Sequence, residues 1–274
     1  MQIGPVNGGI SSEDLAPGDT RAASLDLSRF QIDRINSVDD PLFDFAYARL
    51  WREFGAQGEM ESRETLRQRF RLAPAMLYEM VLLRHEEAFA AVRDQTAIPT
   101  ANGMVVHLSH NLVAPEWRRT GLAGWMRAFP LSTARRCASM NGMPPDFPLT
   151  LVAEMEHATE GAPERGIRLC AYEKAGFLKV DPSAFSYHQP DFRAPDQIDA
   201  SGGARPLALQ LLIRRIGQEN DALVISGAAL GEIVGALYRM YGAQFRAHDM
   251  AHPALDLSRC PSPETRVRLV APRF

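Results

Sequence analysis

Apolar and polar positions along this chain first fall into a regular rhythm near Leu25. In LSRFQIDRI the two classes alternate, a strand period, whereas in DDPLFDFAYARLWREFG apolar residues return every three or four positions, a helix period. Asp40, just before Pro41, is placed to cap that helix, and Ser62 is placed to cap a second one in SRETLRQRFRL. MLYEMVLLRHEEAFAAVRDQTAI reads as two strands joined by a charged RHEE turn, although by propensity its Ala-rich second half suits a helix equally, and VVHLSHNLV reads as a strand that breaks at Pro115 into RRTGLAG and a helix. FPLTLVAEMEH is a buried strand, a helix ends at AYEKAGF with Gly176 as its stop, and LKV and LALQLLIRRI are further strands. SYHQPDFRAPDQIDASGGARP reads as a long ordered loop of the functional kind. Ser226 caps an amphipathic helix, GAALGEIVGALYRMYGAQFR, and the stretch after it looks irregular. Residues 1–24, rich in Gly, Ser, Pro and Asp without a period, are expected to form a disordered or loosely docked arm.

Composition narrows the function classes more than it selects one. A chain of 274 residues is about twice the usual single domain, so one enlarged domain or two small ones are allowed. Its 46% apolar and 23% charged residues are those of a soluble globular protein. A net charge of -3 leaves no global positive field for nucleic acid or anionic lipid, so neither is expected as a partner. No apolar run reaches membrane-spanning length, and MQIGPVNGGISSEDLAPGDT lacks the basic and apolar regions of a leader, which points to the cytoplasm. Cys137, Cys170 and Cys260 are odd in number, far apart and not in metal-ligand spacing, so no metal site is expected.

The candidate chemistry starts at the break after Val113. A strand that ends where a helix begins exposes unpaired N–H groups and the positive end of a helix dipole, which together favour an anion. There, Gly121 lets the backbone approach a phosphate, Ala123 and Gly124 keep the first helical turn thin, and Arg118 and Arg119 add charge. The spacing is neither GxxxxGK[ST] nor GxGxxG, which excludes a nucleoside-triphosphate loop and the dinucleotide fingerprint and calls for another phosphorylated ligand. Taken alone, the same residues also suit an ordinary basic turn into a helix.

Two motifs in order give the stretch a context. V-x-P-E-W-R-R-x-G-L-A resembles the acyl-CoA-binding motif of the GCN5-related N-acetyltransferases, Arg/Gln-x-x-Gly-x-Gly/Ala, with Arg118, Gly121 and Ala123 at its places. Ala171 to Phe177, A-Y-E-K-A-G-F, resembles the family's second motif at the end of its fourth helix. The order of elements from Leu25 to Arg215 is also similar. The resemblance implies an α/β fold: a mixed, mostly antiparallel sheet of about six or seven strands, splayed between the fourth and fifth and flanked by helices. Three segments follow: an arm over 1–24, an acyltransferase domain over 25–215, and a C-terminal helix and irregular extension over 216–274. It implies acetyl-CoA or another acyl-CoA as co-substrate, with Leu112 and Val113 pairing with the pantetheine arm. Arg118, Arg119, Thr120, Gly121, Leu122, Ala123 and Gly124 would hold the pyrophosphate. Amine acylation further needs a base and an acid. Strand alternation puts His107, Ser109 and Asn111 on a polar face, where His107 is the first base candidate and is also read as an ordinary hydrogen-bonded strand residue. His110, on the other face, reads as structural. Glu154 and Glu156 share a face of the following strand, where Glu154 is a second base candidate or a ligand for a cationic substrate. The resemblance assigns Tyr172 as the acid that protonates the leaving thiolate. HATEGAPERG, His157 to Gly166, departs from the family pattern by replacing its short asparagine-bearing connection.

The function implied is transfer of an acyl group, most simply acetyl, from acyl-CoA to a small-molecule or peptide amine within a ternary complex. A homodimer is compatible with this. The alternatives are a non-catalytic acyl-CoA-binding or regulatory protein on the same fold, and an acyltransferase using a longer-chain donor.

Overall fold

The computed structural model describes residues 9–55, 58–157, 163–218 and 223–273. Residues 1–8 of the expected arm and residues 158–162 of the HATEGAPERG segment lie outside them. The chain divides into two compact units, Met1–Ala97 with Leu108–Asp146, and Ile98–His107 with Phe147–Phe274. This division differs from the segments expected from sequence, because two long strands run through both units.

In the first unit, β1 (Phe30–Ile35) pairs antiparallel with β2 (Leu77–His85), and β2 with β3 (Ala88–Thr100). Glu86 and Glu87 form the expected turn at φ 49° and 66°, the left-handed pair that a two-residue hairpin needs to match strand twist. The second half of β4 (Gly103–Val113) follows. α1 (Phe43–Phe54) and α2 (Arg63–Phe70) bury Phe43, Leu50, Leu66 and Phe70 against Tyr78, Met80 and Leu82 of β2. Ser62 accepts from Thr65 N as a cap, whereas Asp40 bonds Leu42 N one residue ahead of α1 and does not cap it. α3 (Leu122–Met140) packs Leu122, Trp125, Met126 and Phe129 against Val81, Leu83, Ala90 and Ala91. Pro130 lies inside α3 and supplies no N–H to the carbonyl of Met126 four residues back. The buried Arg93 guanidinium donates to that carbonyl instead, and to Gln95 Oε1 at 2.8 Å.

From Gly9 onward the expected loose arm is ordered. Ile10, Ala16 and Ala22 are buried, Asp14 pairs with Arg135 and Asp19 with Arg127 of α3, and Trp125 Nε1 donates to Ala22 O at 2.7 Å. Its low apolar content is offset by ion pairs to residues over a hundred positions away, which no local period reveals.

In the second unit the first half of β4 lies beside β5 (Leu149–Met155), its parallel neighbour. Beyond β5 come β8 (Leu207–Arg215), β6 (Leu178–Val180), β10 (Arg266–Val270) and β9 (Val224–Ser226). β7 (Tyr187–Gln189) also pairs with β8, and every one of these pairings past β5 is antiparallel. The described residues thus carry ten strands where about six or seven were expected. The addition comes from β7, inside the expected loop, and from β9 and β10, inside the extension expected to be helical and irregular. α4 (Pro163–Lys174) ends before Gly176 at φ 80°, α5 (Pro195–Ala200) interrupts the long loop, and α6 (Gly227–Gly242) starts from Ser226, whose hydroxyl accepts from Ala229 N. α7 (Ala247–Met250) is a single turn. Among the described residues no helix is long and apolar enough to cross a membrane, and no group of three metal-ligating side chains gathers.

Candidate functional site

The turn from β4 into α3 has the backbone of an anion-binding junction. Arg119 is at φ 67° and Gly121 at φ 103°, so two left-handed residues swing the chain into the helix. Gly121 is the N-cap of α3 and has no capping side chain of its own, and Thr120 Oγ1 accepts from Leu122 N at 3.4 Å, so the helix start is only partly capped. Arg118 and Arg119 are exposed; Arg118 Nε donates to Val113 O at 3.2 Å, and neither guanidinium has a carboxylate partner among the described residues. Thr120 Oγ1 donates to Trp117 O at 2.7 Å and braces the turn. Leu122 is buried in the core, Ala123 is half-buried, and Leu112 and Val113 end β4 half-buried. Upstream, the buried Asn111 Oδ1 has no hydrogen-bond partner among the described residues. A partly capped helix start, two exposed arginines without carboxylate partners and an orphaned acceptor on the preceding strand fit a phosphorylated ligand with an amide-bearing arm.

Gly121 and Gly124 both lie against another segment of the chain. A Cβ on Gly121 would lie 2.4 Å from Arg21 O and 2.7 Å from Ala22 N, and one on Gly124 would lie 2.8 Å from Ala22 Cβ. The space that both glycines open is filled by residues 19–22 of the chain itself.

The second unit brings together the two base candidates. His107 Nε2 and Glu154 Oε2 are 3.0 Å apart, with side chains 3% and 4% exposed. Glu154 also accepts from Tyr187 OH, from Tyr241 OH at 2.7 Å and from Gln189 Nε2 at 3.1 Å. Burial alone would push this carboxyl up. The charge and hydrogen bond of His107, joined by the two phenols, instead hold it below the ordinary glutamate value. Burial next to that carboxylate pushes the Tyr187 phenol well above its usual range. The Tyr241 ring stands edge-on to His107, 5.9 Å between centroids. The carboxylate against one imidazole nitrogen fixes the orientation of the ring.

Tyr172 is half-buried on α4 with its ring edge-on to Phe177 at 5.0 Å, and its hydroxyl has no hydrogen-bond partner among the described residues. Glu156 is ion-paired with Arg165 and Arg168 of α4 and takes no part in the Glu154 cluster. His110 is structural as expected: its nitrogens face Asp94 Oδ1 at 2.9 Å and Glu59 O at 3.0 Å. Tyr187, Gln189 and Tyr241 were not foreseen. YHQ fell within the loop flagged as functional, but Tyr241 sits at an apolar-period position of α6 and reads as core.

No protein-family description and no curated protein matches the chain. In fold it is similar to GCN5-related acetyltransferases. One is N-acetylglutamate synthase from Neisseria gonorrhoeae, solved with coenzyme A and N-acetyl-glutamate: 16% identity, TM-score 0.37, over 68% of this chain and 35% of that one. A second is a glucosamine N-acetyltransferase region of a fungal multi-domain β-N-acetylglucosaminidase, at 15% identity and TM-score 0.41, over 62% of this chain and 20% of that one. A third is an acetyltransferase of the same family from Streptococcus pneumoniae, at 13% identity and TM-score 0.37, over 69% and 99% of the two chains. The chain thus spans well under two thirds of the length of the first two, and the roles assigned below rest on its own residues.

Proposed function

We propose that the protein is an acyl-CoA-dependent N-acyltransferase, in its simplest form an acetyltransferase, acting on a primary amine. The observation that carries this reading is the β4–α3 turn: a partly capped helix start flanked by the exposed Arg118 and Arg119, neither with a carboxylate partner among the described residues. The two guanidiniums, with the backbone N–H groups of Gly121 and Ala123, would hold the pyrophosphate, and Leu112 and Val113 would line the pantetheine arm. Acyl-CoA supplies an activated thioester.

His107 would take a proton from the substrate ammonium, directly or through water, to free the amine for attack, while Glu154 holds the imidazole in place. Four donors already occupy the Glu154 carboxylate, which favours this supporting role over that of base. As the amine nitrogen bonds to the acyl carbon and the C–S bond breaks, Tyr172 would return a proton to the thiolate. The free hydroxyl of Tyr172 is compatible with that task.

Thiol release from acetyl-CoA across an amine panel, run beside calorimetry with CoA, tests the reading. Turnover with at least one amine is expected, and Tyr172→Phe should lower it at least tenfold with CoA affinity within twofold of wild type. Absence of CoA binding would remove the reading altogether. Closure of the Glu154 network around His107 favours a second one, a non-catalytic acyl-CoA-binding protein, which predicts CoA binding with no thiol release from any amine.

A further inference from the structure

Glu154 puts a carboxylate into the interior of the second unit with no arginine or lysine against it among the described residues. Its hydrogen bonds come from the His107 ring of β4, the Tyr187 phenol and Gln189 amide of β7, and the Tyr241 phenol of α6. The two oxygens are loaded differently. Oε1 takes Tyr187, while Oε2 takes Tyr241 at 2.7 Å, His107 at 3.0 Å and Gln189 at 3.1 Å. Donors from β7 and α6 thus fix the plane of the carboxylate, and two of them compete with the imidazole for the oxygen it faces.

Such competition serves a base. A buried carboxylate draws a neighbouring imidazole toward its charged form, and a ring that already holds both its protons accepts no other. His110 in the first unit shows the strength of that draw. Burial opposes its charge, yet Asp94, which also accepts from Tyr78 OH at 3.0 Å and from His110 N at 2.9 Å, raises it to about 9. Glu154 has a second phenol and an amide, and each neutral donor takes up negative charge that would otherwise act on the His107 proton. Burial and the charge of Glu154 push the Tyr187 phenol well above its usual range, so it stays a donor wherever His107 titrates. Tyr238 of α6 also lies beside the pair: its ring stacks on Tyr187 at 5.8 Å, and its hydroxyl donates to His188 O at 2.9 Å. The titratable groups gathered around His107 among the described residues are thus Glu154, Tyr187, Tyr238 and Tyr241.

We propose that Tyr187 and Tyr241 are positioning residues: together they hold the Glu154 carboxylate in register with His107 and divide its charge, so that Glu154 orients the ring without binding it to its proton. The proposal rests on the reading of His107 as the base of amine acylation. It gives β7 and α6 a part in the chemistry, exerted through Glu154, and it requires that both phenols act on the pH dependence of the reaction, which packing alone would not do.

An NMR titration of the His107 ring, assigned by its loss in His107→Gln, tests this beside the pH dependence of kcat/KM for acylation of an amine. Tyr187→Phe and Tyr241→Phe each delete one hydroxyl and keep the ring. Each should raise the His107 midpoint by about half a unit or more above wild type and carry the acid limb of kcat/KM with it. That is a loss of about threefold well below the midpoint and none well above it. Tyr238→Phe, which deletes a neighbouring hydroxyl that does not bond Glu154, should leave both readings at wild type. A His107 midpoint that stays at the wild-type value in both variants, or rises as far in Tyr238→Phe, would overturn the proposal. A midpoint that rises while the acid limb stays put, or with no turnover to follow, upholds the division of charge and overturns instead the reading of His107 as base.

Discussion

Gly121→Ala separates two reasons for a glycine at the start of α3. The residue sits at φ 103°, where an L side chain costs about 1–2 kcal/mol. Its new Cβ would also stand 2.4 Å from Arg21 O and 2.6 Å from Arg21 C, and backbone atoms cannot swing aside as a side chain would. Relief requires residues 19–22 to lift away. That would break the Trp125 Nε1 bond to Ala22 O, worth about 1 kcal/mol. It would also separate Asp19 from Arg127, worth on the order of 1 kcal/mol for a largely buried pair, and expose the Ala22 methyl, worth about 0.8 kcal/mol. The total is about 4 kcal/mol, which for a chain of this size lowers Tm by about 10 °C. Thermal unfolding followed by circular dichroism measures the loss, and trypsin with mass spectrometry reports whether the Arg21–Ala22 bond has become cleavable. A variant that melts with wild type and stays uncut at Arg21 refutes the packing argument. If such a variant has also lost CoA binding, the glycine serves a ligand and not the arm.

Other outcomes follow from the two buried histidine–carboxylate pairs. Burial opposes charge on His110, but the charge and hydrogen bonds of Asp94, with Glu61 and the Glu59 carbonyl nearby, raise it from 6.5 to about 9. Because the folded value lies above the unfolded one, the stabilisation is complete below about pH 6.5 and is lost as pH rises through about 9, a change of about 3 kcal/mol. Urea unfolding between pH 6 and 10 should show that fall in wild type and a flatter profile in His110→Gln; parallel profiles would contradict it. Glu154 is held below its ordinary value, so its contribution is present above about pH 4.5 and disappears as pH falls through the folded value. Glu154→Gln should therefore cost about 1–3 kcal/mol at pH 7 and progressively less in acid. Equal loss at both ends of the titration would show that the charge is not what matters.

Local chemistry made several elements of both units legible. RHEE forced a tight hairpin, Ser62 and Ser226 capped helices, and the break at Pro115 into RRTGLAG located the start of α3. Contacts between distant segments stayed hidden. RVRLV is short and follows a Pro- and Ser-rich stretch, and its role as β10 depends on pairing with β6 some ninety positions earlier. The Glu154 cluster has the same character: Tyr187 and Tyr241 lie 33 and 87 positions away and look like core residues until the fold collects them. Sequence found both members of the His107–Glu154 pair but weighed them as rivals, because strand periodicity says which residues share a face and not which strands meet.

Pro130 binds the history of two positions together. By ordinary helix propensity, alanine at 130 would be an improvement of roughly 3 kcal/mol. Here it would give Met126 O a helical N–H and set that donor against Arg93, a guanidinium with no exposure to water to fall back on. The improvement at one site is thus a loss at the other, and Pro130→Ala should become tolerable only alongside an apolar residue at 93. Among relatives of this chain, proline at 130 and arginine at 93 should be inherited or abandoned as a pair, a signature that an alignment can look for without any assay.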